Sequence, residues 1–158
     1  MIKLDKSHYI QTNGGSINDL ESQKWNVYTL KLKTTLPDVW IFYVGVTQTT
    51  VEKRVNTHLT GGPTKTWGCP YVRDRGLDFI VRDERFTFTY STPRNKNLKY
   101  PEMKKIETDT AKRLCAFLSE IQNIYPNLYF LVTGPDGFNE HYLTDEEIKT
   151  ILQNKNKT

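Results

Sequence analysis

The chain has 158 residues, of which 25% are charged and 12% aromatic, with a formal net charge of +4 and a sequence pI near 9.0. That length suits one domain with a real hydrophobic core, and the composition is that of a globular protein, not of a disordered or fibrous one. Every apolar run is soon broken by charge, so no membrane span is expected; Met1 to Lys6 holds no signal-peptide core, and an intracellular, by default cytoplasmic, location follows.

Residues 1–24 are polar, with Asn13-Gly14-Gly15-Ser16 as a flexible break. A strand is predicted over Trp25–Leu32, with Tyr28, Leu30 and Leu32 on one face and Val27 and Thr29 on the other. Thr34–Asp38, containing Pro37, reads as a turn. Val39–Val46 is almost wholly apolar and β-branched or aromatic, so it predicts a strand covered on both faces and paired with the first as a hairpin. Thr49 and Glu52 fit a capping box opening a helix. Its apolar stripe is Val51, Val55 and Leu59, and Gly61-Gly62-Pro63 stops it. Thr64–Asp83 carries mixed signals, consistent with a loop and a short helix near Tyr71–Phe79. Arg85–Tyr90 alternates cleanly and predicts a third strand. The longest helix is predicted over Glu102–Asn123, with Met103, Ile106, Leu114, Phe117, Leu118, Ile121 and Ile124 along one side. A short strand at Leu128–Val132, a tight turn at Gly134-Pro135-Asp136-Gly137 and a final helix opened by Thr144 and Glu147 complete the chain.

The two cysteines, Cys69 and Cys115, lack CxxC neighbours, which argues against structural zinc; as two thiols in a chain this long they read as free. The basic excess is compatible with a polyanionic partner without establishing one.

Glu107 is the most informative position. On a wheel of 3.6 residues per turn, Glu102, Asp109 and Glu120 point away from the apolar stripe, whereas Glu107 lies on it beside Met103, Leu114 and Leu118. An ionised carboxylate there needs a partner, such as a metal ion or an arginine. A structural salt bridge, or a helix tilt that lets the acid reach water, are the alternatives. Arg54 and His58, one helical turn apart, flank the stripe of the first helix at the edge of the core. Such an arginine can hold a phosphate and such a histidine can move a proton, although a solvated pair would look the same. Tyr28 and Tyr43 lie in the paired strands, where a tyrosine usually fills volume and finds one hydrogen bond. Gly45, inside so strong a strand, marks a bulge or a close backbone approach.

Taken in order, these positions resemble the GIY-YIG nuclease superfamily. The first signature stands as Asn26-Val27-Tyr28, the second as Tyr43-Val44-Gly45, the arginine helix as Glu52-Lys53-Arg54-Val55-Asn56-Thr57-His58, and the glutamate helix as Ile106-Glu107-Thr108. The resemblance implies an α+β fold, with a small three-stranded antiparallel sheet flanked by helices. It implies a catalytic domain over 25–124, preceded by an extension over 1–24 and followed by one over 125–158 packed on the same domain. It also implies hydrolysis of phosphodiester bonds in DNA, or RNA, with one Mg²⁺ or Mn²⁺ held by Glu107. Tyr28 and Tyr43 would line the active site, one helping to deprotonate the attacking water. Arg54 would steady the scissile phosphate, and His58 matches a histidine that some members carry. Gly45, Lys65, Arg73 and Arg75 are expected to contact substrate, and Arg94, Lys96 and Lys99 are further candidates for phosphate contacts.

Two departures bear on mechanism. Asn26 replaces the first signature glycine, and Val46 stands where many members have a lysine. The group that activates the tyrosine is therefore open, with Lys65 and Lys53 as candidates. A binding module of the same fold, and a scaffold in which Glu107 is salt-bridged to Arg54, are the competing readings.

Overall fold

Side-chain alternation in the first two strands sorts apolar residues onto two faces, and in the computed structural model each face is covered by helices. The structure describes residues 24–47, 51–60, 69–81, 91–93, 100–139 and 141–155. In chain order the elements are β1 (Lys24–Leu32), β2 (Val39–Thr47), α1 (Val51–Thr60), α2 (Pro70–Arg75), β3 (Leu77–Val81), β4 (Ser91–Pro93), α3 (Tyr100–Ile124), β5 (Tyr129–Thr133) and α4 (Asp145–Lys155). The expected strand at Arg85–Tyr90 lies outside the described residues, as do Thr49 and the Gly61-Gly62-Pro63 stop.

β1 and β2 form the expected antiparallel hairpin, with Tyr28 opposite Gly45 and Leu30 opposite Tyr43. The other edge of β1 is shared end to end: β3 pairs with Thr29–Leu32 and β4 with Lys24–Asn26. β5 adds to the free edge of β2 in parallel, with Tyr43 opposite Thr133. The fold is α+β, but the sheet is five-stranded and mixed, not three-stranded and antiparallel. The cause is the long helix: parallel neighbours need a crossover, and α3 supplies one between β2 and β5.

Met103, Ala111, Leu114, Leu118 and Ile121 of α3 pack on one face of the sheet against Val27, Phe42, Val44 and Val132. The opposite face, built from Tyr28, Leu30, Leu32, Ile41 and Leu131, receives Val51 and Val55 of α1, Tyr71 and Val72 of α2, and Ile148 of α4. The predicted helix near Tyr71–Phe79 is shorter than expected. Gly76, at φ 82°, donates its N–H to the Val72 carbonyl and ends α2, freeing Leu77–Val81 to become β3. The final helix opens as predicted. Glu147 N–H donates to the Thr144 hydroxyl (3.2 Å), while Thr144 N–H donates to Glu147 Oε1 (3.1 Å).

Candidate active site

Cross-strand pairing builds the centre of the site. Tyr28 faces Gly45 across the hairpin, and its ring lies against the glycine: a Cβ on Gly45 would overlap the Cζ and hydroxyl of Tyr28. Gly45 is thus the close approach that the sequence suggests. The tyrosine ring fills the space above it, so this glycine seats Tyr28. The Tyr43 ring lies beside Tyr28, with centroids 6.3 Å apart.

α1 brings His58 onto this pair. Its Nε2 is 2.8 Å from the Tyr28 hydroxyl, and its ring meets that of Tyr43 edge-on at 5.1 Å and 70°. The inward stripe of α1 is Val51, Val55 and His58, whereas Leu59, expected inside, is 37% exposed. The rotation has a physical reason, since the imidazole gains a buried hydrogen bond there and packs against two rings. Its Nδ1 is buried without a partner. Arg54, one turn earlier, is half-buried and close enough for its charge to act on the Tyr28 hydroxyl.

Burial dominates the protonation states. It pushes the Tyr28 phenol well up, with Arg54 opposing and Glu107 adding, and it raises Tyr43 in the same direction, with the neighbouring Tyr28 adding. Burial lowers His58 to about 4, and the Arg54 charge lowers it further. At neutral pH both phenols and the imidazole are therefore uncharged.

Glu107 is buried on α3, at 8% exposure, as the helical wheel requires. Among the described residues it has no hydrogen-bond or ion-pair partner, so the expected alternative of a salt bridge to Arg54 is not formed. Burial raises its carboxyl to about 7, with Lys104 opposing and Asp136 adding. Its charge acts on both tyrosines. No group of three or more His, Cys, Asp or Glu suited to a metal occurs among the described residues. A hard cation such as Mg²⁺ or Mn²⁺ needs no such group, because it keeps several waters and takes one or two carboxylates plus substrate oxygens, and Glu107 is a carboxylate that could hold one.

The expected substrate contacts fare differently. Lys65, Arg94, Lys96 and Lys99 lie outside the described residues. Arg73 is exposed and paired with its neighbour Asp74 at 3.2 Å. Arg75 is corrected to a structural role. Its side chain is 4% exposed and donates to Asp145 Oδ1 (2.6 Å), Lys33 O (3.1 Å) and Leu143 O (2.5 Å); the remaining Nε is buried, so burial and these partners turn the group away from a phosphate.

Two charged residues beside Glu107 were not singled out in the sequence. Lys104 precedes it by three positions on the same helix, a spacing readable in advance. Asp136 stands in the turn after β5, and only the parallel pairing of β5 with β2 brings it here. It lines a cavity of about 220 Å³ with Tyr43, Cys69, Tyr71, Thr133 and Phe138. The chain matches no protein-family model, no curated protein and no solved structure. No described helix is long and apolar enough to cross a membrane.

Proposed function

We propose that this chain is a metal-dependent endonuclease of the GIY-YIG type, hydrolysing phosphodiester bonds in DNA, with RNA as the second substrate class. The observation that carries the reading is the 2.8 Å hydrogen bond between the Tyr28 hydroxyl and His58, beside Arg54, with the buried Glu107, which has no partner among the described residues, acting on the same hydroxyl.

The chemistry follows from the protonation states. Because burial keeps Tyr28 protonated, no phenolate stands ready as a base. Tyr28 instead relays: its oxygen takes the proton of the attacking water as its own proton passes to His58 Nε2. This requires the imidazole proton on Nδ1, which leaves Nε2 as the acceptor. Arg54 donates to the phosphate oxygens as negative charge grows, and a phosphate anion offsets the Arg54 charge that disfavours the imidazolium. Tyr43 holds the imidazole edge-on and serves as a positioning residue. His58 thereby fills the role left open by Val46, in place of Lys53 or Lys65. A divalent ion on Glu107 supplies charge neutralisation at the phosphate and leaving oxygens when bound.

Incubation of the protein with supercoiled plasmid and Mg²⁺ or Mn²⁺, with and without chelator, tests this reading. Metal-dependent nicking that the chelator abolishes is the expected result. A salt-sensitive gel shift without cleavage would replace it with the binding module of the same fold, and neither cleavage nor shift would leave a scaffold.

A further inference from the structure

The parallel register of β5 sets Thr133 beside Tyr43, and the chain then turns across the end of β2. Gly134, at φ 118°, lies so close to this strand that a Cβ would overlap the Val44 carbonyl. The tight crossing delivers Asp136 to the wall of the cavity that Tyr43 also lines. From the other side of the sheet, Lys104 Nζ reaches Asp136 Oδ2 at 3.0 Å. Lys104 sits one turn before Glu107 on α3, so Asp136 shares a cavity wall with Tyr43 and its charge also acts on the buried glutamate.

We propose that Asp136 is a second carboxylate of the metal centre anchored by Glu107, and that Lys104 is the internal cation the divalent ion displaces. The inference rests on the nuclease reading above and assigns a residue from outside the segment that resembles the family. Two features support it besides proximity. Glu107 is more than nine-tenths buried and has no hydrogen-bond or ion-pair partner among the described residues, while the charges of Lys104 and Asp136 both act on it. The Lys104–Asp136 pair is open to water, with side chains 40% and 84% exposed, so it contributes little and exchanges readily. A divalent ion between two carboxylates draws on twice the charge of an ammonium, and one or two carboxylates are what Mg²⁺ or Mn²⁺ takes alongside water and phosphate oxygens.

The test is titration of the full chain with Mn²⁺ alone, followed by electron paramagnetic resonance at low ionic strength without nucleic acid. Glu107→Gln should remove the site. Asp136→Asn should weaken Mn²⁺ binding about tenfold or more, and Lys104→Met should tighten it. Asp109→Asn, which removes the same charge from the exposed side of α3, should change it little. Circular dichroism checks that each variant folds. If Asp136→Asn behaves like Asp109→Asn while Glu107→Gln abolishes binding, the second ligand is overturned and the Glu107 site stands. If Lys104→Met does not tighten binding, the displacement is overturned. If the wild-type chain binds no Mn²⁺, or Glu107→Gln leaves binding unchanged, the reading beneath the inference fails with it.

Discussion

Arg75 and Glu107 are both charged side chains drawn out of water, one on each side of the sheet, and the chain treats them in opposite ways. Around Arg75, Asp145 supplies a counter-charge, two backbone carbonyls accept N–H groups of its terminal nitrogens, and the Tyr142 ring lies 5.6 Å from the guanidinium; only its Nε is buried without a partner among the described residues. Asp145 in turn accepts the Thr35 N–H and hydroxyl, and although burial opposes this, those bonds and Arg75 hold its carboxyl far below the usual range. Around Glu107 nothing of the kind stands among the described residues, and burial raises its carboxyl instead. A buried charge with a counter-charge and backbone acceptors ties α2, the β1–β2 loop and α4 together. One left without them costs stability unless it takes up a proton or a counter-ion.

That contrast can be broken at either end. The largest effect is expected at Glu107: its replacement by alanine should lower metal-dependent cleavage by more than roughly a thousandfold while the circular dichroism spectrum stays native. Cleavage at the wild-type rate would remove Glu107 from the site. Arg75→Met should do the reverse. Leaving Asp145 without its counter-charge should cost about 3 kcal/mol in urea unfolding, with Mn²⁺ binding untouched; an unchanged midpoint would dissolve the contrast. Arg54→Ala should slow single-turnover cleavage by roughly a hundredfold, the usual cost of one stabilising donor, and a negligible change would argue against its role.

The smallest effect is the most diagnostic, because it needs no substrate. The Glu107 carboxyl holds its proton more tightly in the folded chain, at about 7 against an ordinary 4.5. Metal-free stability should therefore fall as pH rises through that window, and Glu107→Gln should abolish the fall, gaining on the order of 1–2 kcal/mol at pH 8. His58 acts in the opposite sense. Its folded pKa is near 4 against an ordinary 6.5, so stability is lost as pH drops from about 6.5 towards 4. Thermal melts across this range measure both, and a melting temperature independent of pH above 5 would remove the Glu107 contribution.

Local pattern revealed the hairpin, the long helix with its buried glutamate, and the Thr144 cap, because each depends on residues within a few turns of one another. It also marked Gly45 as a close approach, although not what approaches it. What could not be read depends on distant parts meeting. Leu59 is apolar and His58 is not, so hydropathy alone turns α1 the wrong way; the hydroxyl that draws the histidine inward belongs to another strand. Arg75 resembles any exposed basic residue until α4 arrives with Asp145 seventy positions later. Asp136 looks like an ordinary turn acid until β5 is seated on β2.

That seating also bears on how the protein can be shortened. Without β5, the outer edge of β2 would present unpaired backbone groups along Val39–Tyr43, flanked by the apolar side chains of a strand meant to be covered. A fragment ending at Ile124, the expected end of the catalytic domain, would carry such an open edge, the feature by which proteins recruit further copies of themselves into aggregates. The shortest version of this fold with a protected sheet edge therefore extends at least through Thr133.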